Sequence, residues 1–245
     1  MDIRLPEGGP AEPFLGAAEL FETEHDIGLP VHVRLREDPD ERTWAGHYDE
    51  RHVLNISRQA ATSAMARELT LHELSHMARY EERHPSHHQS TREAIFLGLA
   101  GKSVERRKLS HVYQLANHMK DIYADDITLS LAPGTKLVTF LESRLAAAIA
   151  DRPPAVPTGW QLASPNADPE ITAVNAAFAL ALVERHDLVG DDHRLYDLAH
   201  AAADDAPEVS IHQFVDAFRS LEADPTESEY RKALVEMTRA YVGSG

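Results

Sequence analysis

The sequence contains no cysteine among its 245 residues. A disulfide framework is therefore excluded, and so is any metal site built from thiolates. Any metal ligands in this chain have to be histidine, aspartate or glutamate, and histidine is abundant, with 15 copies. The absence of cysteine thus narrows the available metal chemistry to imidazole nitrogen and carboxylate oxygen.

Positive charge is scarce, with 24 lysines and arginines against 40 aspartates and glutamates and a formal net charge of −16. Most of the cations are arginines, because lysine occurs only at positions 102, 108, 120, 136 and 232. An acid-rich, lysine-poor surface keeps a protein soluble in concentrated salt, where charge repulsion is screened. We therefore expect a salt-loving archaeon as the source. No basic patch is visible, so nucleic acid is not expected as a partner.

Long apolar runs are also missing. The longest, residues 171–183, is interrupted by Thr172 and Asn175, whereas a membrane helix needs about 20 apolar residues. Residues 1–9 contain no basic segment followed by an apolar core, so no secretory signal is expected. These features predict a soluble, cytoplasmic protein without a membrane partner, and they leave the oligomeric state open.

Residues 72–76 read His-Glu-Leu-Ser-His and lie in a stretch of good helix formers, 64–80, that has no glycine or proline. Histidines four positions apart project from one face of a helix, so their ring nitrogens can meet on one metal ion. Glu73 then lies beside the metal, where it can accept a proton from water. The pattern predicts a zinc site with His72 and His76 as ligands and Glu73 as general base. The alternative is a polar stripe on a surface helix.

A catalytic zinc ion takes three protein ligands and leaves one position for water. The best candidates for the third ligand lie in a helix predicted over residues 110–131, where one polar stripe follows a rotation of about 100° per residue. The stripe comprises Gln114, His118, Asp121, Asp125 and Thr128. Such stripes are often solvated, but this one holds two carboxylates one turn apart. Asp121, Asp125 and His118 all remain open as the third ligand.

This combination resembles the gluzincin metallopeptidases, whose second metal helix carries Glu-x-x-x-Asp, often with alanine before the aspartate. The corresponding segment here is Asp121-x-x-Ala124-Asp125. The resemblance implies that Asp121 is the third zinc ligand and that Asp125 orients a ligand histidine from behind. Asp121 departs from the family pattern, because aspartate is one methylene shorter than glutamate and the two helices must pack closer. The resemblance covers residues 12 to 150 as an order of elements.

Hydrophobic periodicity predicts an α+β fold that begins with a loose arm, residues 1–13, and a helix. A small antiparallel sheet, the HExxH helix and a second metal helix follow, as expected of a minimal gluzincin. The strand at residues 52–56 is expected to border the cleft and to pair through its free edge with an extended peptide. The expected helices of this zincin-like part are 14–24, 62–80, 90–99, 110–131 and 135–150, and the expected strands are 30–36, 44–48 and 52–57.

A proline-rich stretch predicts a linker at residues 151–167. It separates a zincin-like metallopeptidase domain, 1–150, from a C-terminal helical bundle, 168–245. In the bundle, helices are expected near residues 169–186, 191–204, 211–222 and 227–242.

A polar segment at residues 81–90 contains His84, His87 and His88. In one interpretation, one of these histidines donates a hydrogen bond to the transition state or makes an additional metal contact. His118, Arg79 and Tyr123 are further candidates for such roles. In the other interpretation, the segment is a solvated surface loop rich in histidine.

Together these patterns predict a zinc-dependent metallopeptidase that acts on a peptide or protein substrate, with Zn²⁺ as its cofactor. One alternative is a non-catalytic zincin-like protein that serves as a binding or regulatory module. Another is a helical interaction protein in which HExxH occurs by chance, and the absence of bound zinc after purification would favour it.

Overall fold

A computed structural model describes residues 1–151 and 168–243. Within these ranges the chain forms eleven helices and one four-stranded mixed sheet, which confirms the predicted α+β class. No helix among these residues is long and apolar enough to cross a membrane. The predicted linker, 151–167, lies outside the described residues except for Asp151.

The sheet contains four strands in the order β1-β2-β4-β3. The prediction of an antiparallel sheet is wrong for β2, which is parallel to both β1 and β4; β3 and β4 form the predicted antiparallel hairpin. The expected loose arm is therefore wrong at Ile3 and Arg4, which pair with Val31 and His32. The strands are β1 (Ile3–Arg4), β2 (Val31–Arg36), β3 (Trp44–Tyr48) and β4 (Arg51–Ser57).

The prediction that β4 has a free edge is wrong. Both edges of β4 are hydrogen-bonded, one to β2 and the other to β3. Because β4 lies between its two partners, β3 becomes the terminal strand of the sheet in the described part of the chain. Any strand added at this side of the sheet would therefore pair with β3.

Nine of the eleven helices in the described residues correspond to predicted helices, and the two short helices at residues 58–61 and 85–88 were not predicted. The HExxH helix begins at Ala66 rather than near residue 62, and it follows a short helix at residues 58–61 that is capped by the Ser57 side chain. The helices are α1 (Glu12–Phe21), α2 (Arg58–Ala61), α3 (Ala66–Glu81), α4 (Pro85–His88), α5 (Thr91–Gly98), α6 (Arg106–Leu131), α7 (Thr135–Ala150), α8 (Pro169–Arg185), α9 (Arg194–Asp205), α10 (Ile211–Arg219) and α11 (Glu227–Gly243).

The described residues divide into two compact units. The first comprises Met1–His88 and Lys120–Lys136, and the second comprises Gln89–Met119 and Leu137–Gly245. Helix α6 therefore contributes its C-terminal part to the first unit and its N-terminal part to the second. This grouping differs from a division at residue 150, and the predicted domain boundaries stay a prediction.

The core of the first unit lies between one face of the sheet and helices α1 and α3. Alternate strand residues point to this face because side chains in a strand alternate with a period of two. They include Val33 of β2 and Leu54 of β4, which are paired in register. The buried cluster also contains Phe14, Phe21, Leu71, Leu74 and Met77.

The second unit is entirely helical in its described residues and is built around the almost completely buried helix α8. Asp168 caps this helix by accepting a hydrogen bond from the Glu170 N–H. Arg107 of α6 forms ion pairs with both Asp168 and Glu170. Gln114 of α6 donates to Asn175 of α8. These contacts explain why the N-terminal part of α6 groups with the C-terminal helices.

Candidate metal centre

Helix α3 has one face in the hydrophobic core and another face that carries two histidines. Leu71, Leu74 and Met77 are buried in the core, whereas His72 and His76 lie one turn apart on another face, as residues four positions apart must. The C-terminal part of α6 packs closely against α3, because Ser75 Oγ lies 3.0 Å from Thr128 Oγ1 and both residues are buried. This close approach is the condition that an aspartate ligand on α6 requires.

Three side chains from these two helices converge. His72 Nε2 and His76 Nε2 are 3.0 Å apart. Asp121 Oδ1 lies 3.4 Å from His76 Nε2 and 3.9 Å from His72 Nε2. Among the described residues, this is the group of histidine and carboxylate side chains whose ligand atoms all lie within 4.8 Å of one another. We call His72, His76 and Asp121 the metal triad.

The donor set of the metal triad fits a zinc ion. Zinc in catalytic sites is held by imidazole nitrogen and carboxylate oxygen atoms, with one position left to water. Two Nε2 atoms that face each other at 3.0 Å also need a cation or a shared proton between them, because their lone pairs otherwise repel. The predicted ligands His72, His76 and Asp121 are thus brought together by the fold.

The other two candidates for the third ligand lie elsewhere. Asp125 is buried and its Oδ1 lies 2.7 Å from His72 Nδ1, which is the ring nitrogen turned away from the metal triad. His118 belongs to the second unit, where its Nε2 lies 2.8 Å from Asn175 Oδ1 and its ring stacks on Phe178. Asp125 therefore lies behind His72, on the side of the ring that faces away from the metal triad.

Charge around His72 favours a cation. Burial by itself lowers the pKa of His72, but the neighbouring carboxylates of Asp125 and then Asp121 outweigh burial and raise the pKa to about 10. In the absence of a metal, the imidazole of His72 therefore keeps its second proton at neutral pH. The same carboxylates would stabilise a metal ion in place of this proton.

Glu73 is 5% exposed and lies next to the metal triad in the chain. Its carboxylate accepts a hydrogen bond from the backbone N–H of Ala45 in β3. Burial raises the pKa of Glu73, while the nearby rings of His76 and His72 oppose the rise. A buried carboxylate with a raised pKa beside a metal site has the properties of a general base.

The three histidines of residues 81–90 have separate environments. His87 Nε2 lies 2.7 Å from His76 Nδ1. His84 is buried, with its Nδ1 2.7 Å from Ser86 Oγ. His88 is exposed, with its Nε2 2.8 Å from the carbonyl oxygen of Tyr80. The expectation of a fully solvated loop is therefore wrong, because Ser86 of helix α4 is buried and His87 of the same helix lies against His76.

Burial lowers the pKa of His87 well below its usual range, and the neighbouring His76 lowers it further. Arg79 and Tyr123, the other candidate donors, meet outside the metal triad: Arg79 Nε donates to the carbonyl oxygen of Tyr123. His87 is within hydrogen-bond distance of a triad residue, His76.

Sequence reasoning missed two groups near the metal centre. Lys120 precedes Asp121, and burial lowers the pKa of its ammonium group. Its position beside a candidate ligand, in a chain with only five lysines, was the sequence feature that could have indicated it. On the sheet, His47 Nδ1 lies 3.1 Å from His52 Nδ1, and His52 Nε2 lies 3.1 Å from Glu81 Oε1. No sequence pattern pairs a strand histidine with a helix glutamate 29 residues later.

Comparison with curated proteins and with solved structures gave no match to the chain. A family model described as a family of unknown function, DUF5781, matches residues 1–243. The match spans both compact units and includes every residue of the candidate metal centre. The chain therefore belongs to the DUF5781 family.

Proposed function

We propose that this protein is a zinc-dependent metallopeptidase with a zincin-like active site on α3 and α6. His72, His76 and Asp121 hold the metal, and Glu73 is the general base. The observation that carries the proposal is the convergence of the two Nε2 atoms and the Asp121 carboxylate on one point. Both Nδ1 atoms are meanwhile held from behind, by Asp125 and His87.

The three candidate ligands support an open site rather than a sealed one. Structural zinc sites are closed by four protein ligands, whereas catalytic sites use three and keep a position for water. The ligand group found among the described residues contains three members. This count favours catalysis over the alternative of a non-catalytic zincin-like module whose zinc is sealed by a fourth side chain.

The proposed chemistry is peptide-bond hydrolysis. Zinc, when bound, supplies Lewis acidity that polarises a carbonyl group and makes water more acidic. Glu73 accepts the proton of the attacking water and transfers it to the leaving amine. The raised pKa of Glu73 suits this role because the side chain must both take up and release a proton. Asp125 keeps the imidazole of His72 oriented during the reaction.

Strand β3 is the proposed binding edge for an extended peptide substrate. It is the terminal strand of the sheet in the described residues, and its Ala45 N–H bonds to Glu73. A peptide that pairs with this edge would therefore run past the general base. Trp44 and Tyr48 flank Gly46 on this strand and are 44% and 51% exposed, so their rings are available to contact substrate side chains.

The proposal is tested by metal content and peptidase activity in concentrated salt. Purified wild-type protein is expected to contain zinc and to cleave members of a fluorogenic peptide library. Glu73→Gln should keep the zinc and lose at least about 100-fold in activity, because the general base is removed while the ligands remain. His76→Ala should lose the zinc and the activity together.

Glu73→Gln tests the general base, and His76→Ala tests the metal ligands. Full activity in Glu73→Gln would show that another group takes the proton. Full zinc occupancy in His76→Ala would show that the metal triad is assigned wrongly. A zinc-loaded wild-type protein that cleaves no peptide would favour the non-catalytic module instead.

A further inference from the structure

The side of His76 that faces away from the metal triad is held by another histidine. Its Nδ1 lies 2.7 Å from His87 Nε2, while its Nε2 faces His72 Nε2 at 3.0 Å and Asp121 Oδ1 at 3.4 Å. A histidine that binds metal through Nε2 must carry its proton on Nδ1, and that proton needs an acceptor. His87 therefore has to offer a lone pair at Nε2.

His76, His87, Ser86 and His84 form a row of side chains joined by hydrogen bonds. The contacts of His84, at the end of this row, fix the direction of the bond between His76 and His87 independently of any metal. The backbone N–H of Ser86 can only donate, and it lies 3.3 Å from His84 Nδ1. His84 Nδ1 is thus an acceptor, so the Ser86 hydroxyl, 2.7 Å away, donates its single proton to the same atom.

Because the Ser86 proton is directed to His84, Ser86 Oγ accepts from His87 Nδ1, which lies 2.8 Å away. With its proton on Nδ1, neutral His87 presents a lone pair at Nε2 and accepts from His76 Nδ1. Ser86 is completely buried and His84 is 5% exposed, so water does not compete for the inner bonds of the row.

We infer that His87 is a positioning residue that fixes the tautomer of His76 and so presents Nε2 to the metal. Ser86 and His84 set the tautomer of His87 in turn. This inference rests on the proposed role of His76 as a ligand, and it assigns His87 neither a metal bond nor a contact with the substrate.

The two ligand histidines are consequently held by partners of different charge. His72 donates to the carboxylate of Asp125, whereas His76 donates to a neutral imidazole. A carboxylate partner makes a ligand histidine a stronger electron donor to the metal. A neutral partner fixes the orientation of the ring and leaves more positive charge on the metal, which favours its Lewis acidity.

Zinc affinity tests the inference with a matched pair of variants. His87→Gln keeps an amide oxygen near the position of Nε2, whereas His87→Leu has a similar size and no acceptor. We expect His87→Leu to weaken zinc binding by about 10- to 100-fold and His87→Gln to recover most of the loss. The control is His88→Leu, because His88 is the exposed neighbour and bonds to Tyr80 instead. The measurement is competition with a chromophoric zinc chelator.

Wild-type zinc affinity in His87→Leu, or equal losses in the Leu and Gln variants, would overturn the inference. Thermal unfolding of the zinc-free variants establishes that each is folded. If His87→Leu does not fold, Ser86→Ala replaces it, because it removes the hydroxyl that sets the tautomer of His87 and leaves the ring in place. We expect Ser86→Ala to weaken zinc binding by a few-fold. An unchanged zinc affinity would contradict the inference that Ser86 sets the tautomer of His87.

Histidine tautomers in the zinc-free wild-type protein provide a direct readout. Two-bond ¹H–¹⁵N spectra are expected to show the protons of neutral His76 and His87 on Nδ1. Protons on Nε2 in either ring would contradict the inference. Because this measurement uses neither zinc nor activity, its outcome is distinguishable from failure of the proposed function, which would appear as a wild-type protein that binds no zinc.

Discussion

At the scale of single residues, burial decides which histidines carry charge. Burial, followed by the neighbouring His52, lowers the pKa of His47 to about 4. Burial also lowers the pKa of His52, although Glu81 opposes the change. Both rings are therefore neutral at pH 7, and they connect β3 and β4 to the end of α3 through Glu81.

His47 is expected to make the fold sensitive to acid. Its pKa is depressed in the folded state, so the folded protein binds fewer protons than the unfolded chain between pH 6.5 and about 4. The contribution of His47 to stability is present above pH 6.5 and is lost as the pH falls through this window. From pH 7.5 to 5 the loss is about 2 kcal/mol. The groups near His47 are His52, His76, Tyr80, Glu81, His88 and Lys120.

His47→Phe isolates this effect, because phenylalanine can keep the stacking on Tyr80 and has no titrating nitrogen. Urea unfolding of the variant and the wild type at pH 7.5 and pH 5 gives the comparison. The free energy of unfolding should fall less in the variant on acidification. An equal fall in both proteins would show that the other titrating groups account for the acid sensitivity.

At the scale of elements, α3 and the C-terminal part of α6 lie close enough together for an aspartate side chain, Asp121, to reach the two histidines. Ser75 is completely buried, its Oγ donates to the Leu71 carbonyl oxygen, and the same atom lies 3.0 Å from Thr128 Oγ1. Ala124, one position before Asp125, is also completely buried. Small residues at these positions let the backbones approach, so Asp121 reaches the two histidines without the additional methylene of a glutamate.

A larger residue at position 75 should separate the helices and weaken the metal site. Ser75→Leu is expected to lower the free energy of unfolding by about 1–3 kcal/mol through overpacking and also to reduce zinc affinity. Ser75→Ala, the matched control, should lose about 1 kcal/mol through the missing hydrogen bond and keep its zinc affinity. Denaturant unfolding and chelator competition measure the two effects. Wild-type zinc affinity in Ser75→Leu would argue against a site limited by helix separation.

At the scale of the whole molecule, charge is the dominant feature. The chain has 40 acidic and 24 basic residues, and its net charge of −16 makes the folded state repel itself in dilute buffer. The Debye length falls from about 10 Å at 0.1 M salt to about 3 Å at 1 M. As the salt concentration rises, even the repulsion between neighbouring surface charges is therefore screened.

We expect the free energy of unfolding to increase between 0.1 and 2 M KCl. The urea midpoint, determined at a series of KCl concentrations, measures the effect. A parallel series in sucrose is the control, because sucrose stabilises folded proteins by exclusion from their surface and does not screen charge. A midpoint that is highest in dilute buffer would contradict the proposed adaptation to salt.

The sequence by itself determined most of the local structure. Helices α5 and α10 begin close to their predicted starts, where the Ser90 and Ser210 side chains cap them, and α7 has the predicted bounds. The common face of His72 and His76 also follows from spacing alone, since helix geometry relates residues four apart. These features depend on interactions between residues close in the chain, which a sequence displays directly.

Tertiary structure alone decided what lies behind and beside the metal triad. The order of the strands, which makes β3 rather than β4 the terminal strand, depends on pairing between separate elements. So do the contact of His87 with His76 and the hydrogen bond from the Ala45 N–H to Glu73. Strand order and side-chain packing depend on how distant segments share one core, and periodicity gives only the face that each segment buries. The ligand motif is thus local, whereas the tautomers, burial and proton affinities that would let it bind zinc are properties of the folded chain.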